Sequence, residues 1–132
     1  MLEPSIFTKI INGEIPAYKI YEDDRVIAFL TIRPFSEGHT LVVPKKQIDQ
    51  IWDLDSDNYD YLWRTTKKIA QHLTNIMKAD RIGVVVKGFD VPHAHIHLVP
   101  IPQGVIVNLD PHPEPPMAKN DELAAMAKRL KM

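Results

Sequence analysis

A chain of 132 residues, 45% apolar and 25% charged, has the length of one domain and the composition of an ordinary globule able to bury its own core. A net charge of −1 gives no general reason to expect a nucleic-acid partner, and the lack of cysteine excludes disulfides and thiolate metal sites. The opening Met1-Leu-Glu-Pro-Ser has no basic segment followed by a long apolar run, and no stretch approaches about 18 apolar residues, so neither a signal peptide nor a membrane span is expected and the cytoplasm is the default location.

Ser5 is placed to cap a short helix running to about Asn12, with Gly13 just past its end and Ile6, Phe7, Ile10 and Ile11 on its apolar face. Tyr18 to Tyr21 reads as a strand and Glu22-Asp-Asp24 as a turn. Val26 to Ile32 reads as a second strand, apolar on both faces and therefore central. A loop, Pro34 to Gly38, leads to a third strand from His39 to Val43, stopped by Pro44. Such close spacing favours antiparallel hairpins. Lys45 and Lys46 read as a solvated face. Ser56 is the expected N-cap of the main helix, about 56 to 78, whose apolar residues from Tyr59 to Met77 recur at helical spacing. His72 lies one residue off that stripe and reads as a surface histidine. Arg81 to Lys87 is a fourth strand.

The run Pro92-His-Ala-His-Ile-His-Leu-Val-Pro100 carries the chemistry. Its alternation is the period-2 signature of a half-buried strand, with His93, His95 and His97 on one face and Ala94, Ile96 and Leu98 on the other. This strand completes a five-stranded antiparallel sheet. With one main helix and short terminal helices the expected architecture is α+β. Imidazole titrates near neutrality, so a row of histidines can supply a nucleophile, an orienting neighbour and a donor to a phosphate oxygen. A metal is the alternative. Residues i and i+2 of a strand lie about 6.6 Å apart, so two of these histidines can share an ion, whereas a third ligand needs a sharp bend or another source such as His39.

After the histidines, residues 102 to 118 hold Pro102, Pro111, Pro113, Pro115 and Pro116 and cannot be regular structure. They read as an extended arm laid on the surface or on a second subunit, with His112 exposed within it. Asn120 or Asp121 would cap a final amphipathic helix. The whole, residues 1–132, reads as a single domain with a core of 5–101, an arm of 102–118 and a terminal helix of 119–131.

The His-x-His-x-His run followed by apolar residues resembles the histidine triad family of nucleotide hydrolases and transferases. So do Ile6 to Ala17, Tyr21 to Asp24, Gly38 to Lys46 and Gly88 to Pro92, in the family's order, so that the likeness covers about residues 5 to 101. It implies that His95 attacks an α-phosphorus and holds the nucleotidyl group as a phosphoramidate. His97 would donate to the phosphate, His93 would orient the nucleophile and His39 would support it. Ile6, Phe7, Ile10, Phe29, Ile32 and Leu41 would wall a pocket for the base, a purine by preference. No cofactor or metal is required, and a homodimer is implied, paired through the fourth strand and the main helix.

Departures from the pattern concern the substrate. Close relatives often carry an acid, which accepts from the ribose hydroxyls, where this chain has Thr31; its hydroxyl can make one such bond but not a bidentate pair. Phe89 and Asp90 stand where some relatives have phosphate-donating groups, and an ionised Asp90 cannot donate. Ser5 and Thr8 stand where some bacterial relatives hold a structural zinc through cysteines, so none is expected. Three readings follow: an enzyme acting on nucleoside phosphoramidates, adenylates or dinucleoside polyphosphates; a nucleotide-binding module of little turnover; and a zinc site of His95, His97 and His39.

Overall fold

The computed structural model describes residues 3–132; Met1 and Leu2 of the opening segment lie outside the described residues. The elements run α1 (Ile6–Ile11), β1 (Lys19–Glu22), β2 (Val26–Leu30), β3 (Thr40–Pro44), α2 (Ser56–Met77), β4 (Arg81–Val85), β5 (Ile96–Ile101) and α3 (Asn120–Leu130), with a 3-10 turn at Ile51–Asp53. All five strands form one antiparallel sheet in the order β1-β2-β3-β5-β4. The expected α+β architecture is therefore present.

Side-chain alternation divides the core between the two faces of the sheet. Ala28, Val42, Ile96 and Leu98 pack against Leu62, Ile69 and Leu73 of α2 and Leu123 and Leu130 of α3. Ile27, Phe29, Leu41 and Val43 face the other way, against Phe7 and Ile10 of α1. Strands β2 and β3 are covered on both faces, which is why they read as continuous apolar runs.

Strand ends differ from the expected ones by a few residues, for local reasons. The last strand begins at Ile96 rather than among the first histidines, because His93 N–H turns back to the Val91 carbonyl at 2.8 Å and Ala94 N–H goes to the Ile48 carbonyl at 2.6 Å. The alternation survives this: Ala94 still joins Ile96 and Leu98 on the α2 side. Pro100 lies within β5, where β3 has already ended; its carbonyl on that side accepts from Ser36 Oγ at 2.6 Å, so its missing N–H costs no ladder bond.

Helix caps follow the same pattern. Ser5 caps α1 as expected, its oxygen accepting from Thr8 N–H. Helix α2 is capped by Asp55, one residue before the expected Ser56, because the Asp55 carboxylate accepts from Asn58 N–H. Asn120 opens α3 instead of capping it, and its side chain accepts from Tyr18 Oη at 3.0 Å. His72 is not a free surface histidine. Its Nε2 is 2.7 Å from the Leu130 carbonyl, so its N–H serves an orphan carbonyl at the end of α3.

Residues 102–119 have no helix or strand. The arm lies on its own chain, not away from it. Lys87 Nζ reaches Asp110 at 2.8 Å, Arg33 Nη1 donates to the Pro115 carbonyl at 2.9 Å, and Ala118 N–H donates to the Ile32 carbonyl at 2.8 Å. Leu109 sits so close to β4 that a Cβ added at Gly83 would meet its Cδ1 at 3.0 Å.

Candidate active site

A cavity of about 390 Å³ opens on the α1 face of the sheet. Helix α1, strands β2, β3 and β5, the loops that adjoin them and the arm build it. Phe7 and Ile10 of α1 face Phe29 of β2 and Leu41 of β3, and the Phe7 and Phe29 rings meet edge to face at 5.5 Å. His39, His95 and His97 line the same cavity. The loop from Lys87 to Val91 forms one rim; Pro111, Glu114 and Pro115 of the arm form another. Gly88, at φ +80°, gives that loop a left-handed step that other residues rarely adopt.

The hydrogen-bond network assigns the imidazole tautomers. Phe35 N–H donates to His39 Nδ1 at 3.0 Å, so the His39 proton sits on Nε2. That nitrogen is 2.9 Å from His97 Nδ1, which must accept. His97 therefore carries its proton on Nε2, a buried atom with no partner among the described residues. A donor fixed by two preceding bonds is thus left for a ligand. In His95, Nδ1 lies 2.8 Å from the His93 carbonyl and must donate to it. Its Nε2 then holds a free lone pair. Both bonds also make these rings stiff.

His93 plays a different part from the other two. Its ring is 0% exposed and does not line the cavity. Its Nε2–H donates to the Pro44 carbonyl at 2.7 Å, and its Nδ1 accepts from Ser5 Oγ at 2.7 Å. Ser5 and Thr8 connect onward to Gln47, which accepts from Ser5 N–H at 2.9 Å and from Thr8 Oγ1 at 2.6 Å. What reaches His95 is the His93 carbonyl, so the orienting group is backbone, held by a clamped side chain.

Burial keeps all four rings neutral. It pushes His39 down to about 3 and His97 down to about 4, helped in each case by neighbouring imidazoles and the Lys87 ammonium. His95 and His93 are lowered for the same first cause, although their bonds to carbonyls act the other way. Asp90 opposes the shift at His95 and His97 by its charge. It makes no hydrogen bond to a histidine among the described residues.

Of the residues named from sequence, Ile6, Phe7, Ile10, Phe29, Thr31, Ile32, Leu41, Phe89, Asp90, His39, His95 and His97 all line the cavity. The structure adds three details that the sequence did not carry. His39 bonds to His97, not to the middle histidine. His93 stays outside the cavity. Phe89 is 93% exposed, so it marks the rim and not the wall. The Thr31 hydroxyl already accepts from Arg33 N–H at 3.2 Å. Phe35, Arg33, Lys87 and Glu114 also line the cavity and were not singled out. Phe35 lies four residues from His39 in a loop, and Lys87 lies two residues past the end of β4, shortly before the histidine run, so proximity in sequence to the histidines could have found both.

The donor set does not suit a shared metal. His39 Nε2 and His97 Nδ1 point at each other, and His95 Nδ1 points at a carbonyl. No three His, Asp or Glu side chains among the described residues converge as ligands. The HIT domain, as a sequence family, matches residues 12–104.

The chain belongs to the histidine triad (HIT) family. A HIT-like protein of Methanocaldococcus jannaschii is 41% identical over 104 residues, covering 75% of this chain and 80% of that one. An adenosine 5′-monophosphoramidase of Saccharomyces cerevisiae is 36% identical over 100 residues, covering 72% of this chain and 61% of the yeast protein. The crystal structure of a HIT-like protein from Bartonella henselae has a TM-score of 0.86 at 32% identity, over 99% of this chain and 97% of that one. In this HIT protein the three histidines thus divide into a nucleophile candidate, a fixed donor and a buried clamp.

Proposed function

We propose that this HIT protein is a nucleotidyl hydrolase or transferase acting on the α-phosphate of nucleoside phosphoramidates, adenylates or dinucleoside polyphosphates. One observation carries the reading: a neutral His95 with its Nδ1 proton held by a carbonyl and its Nε2 lone pair free, in the same cavity as a fixed, unpartnered His97 Nε2–H. In the first step the His95 lone pair attacks the α-phosphorus. A P–N bond forms while the bond from phosphorus to the leaving nitrogen or oxygen breaks, and the departing group takes its proton from water. In the second step water attacks the same phosphorus. The P–N bond breaks, its electron pair returns to Nε2, the water proton passes to solvent, and a nucleoside monophosphate leaves. Splitting one displacement into two lowers each barrier. The His97 donor stabilises charge on a phosphate oxygen in both.

The apolar slot between Phe7, Ile10, Phe29 and Leu41 suits a purine, and the yeast relative named for adenosine supports that choice. The deciding experiment is mass spectrometry of protein quenched in acid-free denaturant during turnover of adenosine 5′-phosphoramidate. An adenylyl group on the peptide holding His95 is the expected result. Binding without any such adduct or turnover would favour the second reading, a nucleotide-binding module, to which the outward Phe89 and the non-donating Asp90 point.

We further infer a homodimer. β4 is an edge of the sheet, and Val84, on this strand, is 48% exposed. A second copy pairing there would cover an edge that otherwise invites aggregation.

A further inference from the structure

We propose that Glu114, carried into the cavity by the arm, is the acceptor for the sugar hydroxyls of a bound ribonucleotide, so that the arm is a specificity element of the site. The inference rests on the nucleotide reading above and names a residue for a part of the ligand that the strands leave without a charged acceptor.

Among the described residues lining the cavity, only Asp90 and Glu114 carry a carboxylate. They belong to different parts of it. Asp90 lies within electrostatic reach of His95 and His97, where the phosphate must sit. Glu114 lies beside the segment that follows β2, with Oε2 3.8 Å from Arg33 Nε. That segment adjoins the histidines, because Thr31 N–H donates to the His39 carbonyl at 3.2 Å. A nucleotide with its α-phosphorus at His95 and its base against Phe7 and Phe29 must place its sugar between the two. Adjacent 2′ and 3′ hydroxyls are two donors, and a carboxylate can accept from both. Thr31 offers one neutral hydroxyl, and one of its two lone pairs already accepts from Arg33 N–H.

Three contacts anchor the arm on either side of Glu114. Arg33 Nη1 grips the next carbonyl at Pro115, Ala118 N–H is tied to Ile32, and Asp110 is paired with Lys87. Prolines at 113, 115 and 116 stiffen the backbone around it, so less freedom is lost when it meets a ligand. Its carboxylate makes no hydrogen bond among the described residues. The side chain is about 56% exposed, and its ion pair to Arg33, at 3.8 Å, leaves both oxygens able to accept.

The test measures affinity for AMP and 2′-deoxy-AMP by calorimetry, with kcat/KM for the corresponding phosphoramidates, in the native protein, Glu114→Ala, Glu114→Gln and Thr31→Val. The native protein should prefer the ribonucleotide by about tenfold, as one charged hydrogen bond implies. Glu114→Ala should bring that ratio near unity, Glu114→Gln should fall between, and Thr31→Val should keep most of it. A residue that only anchored the arm would lower both nucleotides together and leave the ratio alone. Equal native affinities, or a ratio that survives Glu114→Ala, overturn the assignment while leaving the nucleotide reading intact. If neither nucleotide binds, both fall. If AMP binds with the stated preference but no adenylyl-His95 forms, the catalytic reading falls and Glu114 stands.

Discussion

His39 Nε2 stands 2.9 Å from His97 Nδ1, and the Phe35 N–H on the other side of His39 gives that contact a direction. A backbone amide thus decides, through two rings, that His97 presents a proton and not a lone pair. His39→Leu should remove that decision and lower kcat about tenfold, the equivalent of one lost hydrogen bond. His39→Gln can accept from Phe35 N–H through its oxygen and donate to His97 through its nitrogen, and should restore most of the rate. Steady-state kinetics of the two variants checks this. Equal losses in both would mean that His39 matters only as filler.

His95→Ala should abolish turnover and the adenylyl adduct without unfolding the chain, since its ring faces the cavity. A variant keeping more than about a tenth of native kcat would sink the nucleophile assignment, because removal of a covalent residue costs far more. His97→Ala should cost on the order of 10²–10³ in kcat, as for one oxyanion donor. Circular dichroism of both variants controls for folding.

The pH dependence follows from burial. His39 titrates at about 3 and His97 at about 4 in the folded chain, against an ordinary 6.5. Between those values the unfolded chain binds more protons than the folded one, so stability rises with pH. The contribution is complete above pH 6.5 and is lost as pH falls toward the folded values. Each histidine adds a slope of up to about 1.4 kcal/mol per pH unit. Melting temperature should therefore drop from pH 7 to 5, and His39→Gln should flatten the drop. Asp23, held down at about 2, acts only below its ordinary 3.8 and leaves this window clear. The His95 shift has a kinetic counterpart: the acid limb of kcat/KM should lie below pH 6.5. A limb centred at or above 6.5 would contradict a buried neutral nucleophile.

How far the sequence could be read depended on range. Alternation from Ala94 to Leu98 placed the histidines on one face because period-2 patterning is local. The late start of β5 was hidden, since it depends on Ala94 N–H meeting the Ile48 carbonyl across the chain. The clamp on His93 was equally hidden: Ser5 is 88 residues away, and a serine before a helix announces a cap, not a histidine partner. Ser5 does both. His72 gave no sign of its bond to α3 for the same reason. The arm has prolines but no periodicity, so nothing in it told where Glu114 would lie.

The edge of β4 makes the dimer testable. Light scattering at micromolar protein should give twice the monomer mass, and Val84→Lys on that strand should shift the protein toward monomer by setting a charge in the seam. A monomer mass for the native protein would remove the inference.

Ser5→Ala tests the clamp. The substitution deletes the cap oxygen that accepts from Thr8 N–H, which alone costs about 1 kcal/mol. It also strips the buried His93 Nδ1 of its 2.7 Å donor, and an acceptor left unsatisfied in the interior costs about 1–3 kcal/mol more. Denaturant unfolding should therefore show a loss of about 2–4 kcal/mol, larger than capping alone explains. Ser5→Gly separates the two terms, since glycine at an N-cap costs only a few tenths of a kcal/mol relative to serine. If the clamp is real, Ser5→Gly will still lose well over 1 kcal/mol, because His93 is equally bereft. Activity should fall in step, as the loop bearing the His93 carbonyl loosens and the His95 ring loses the acceptor that holds its tautomer. A Ser5→Gly protein with native stability would show that Thr8 Oγ1, 3.4 Å from the same nitrogen, takes over the bond.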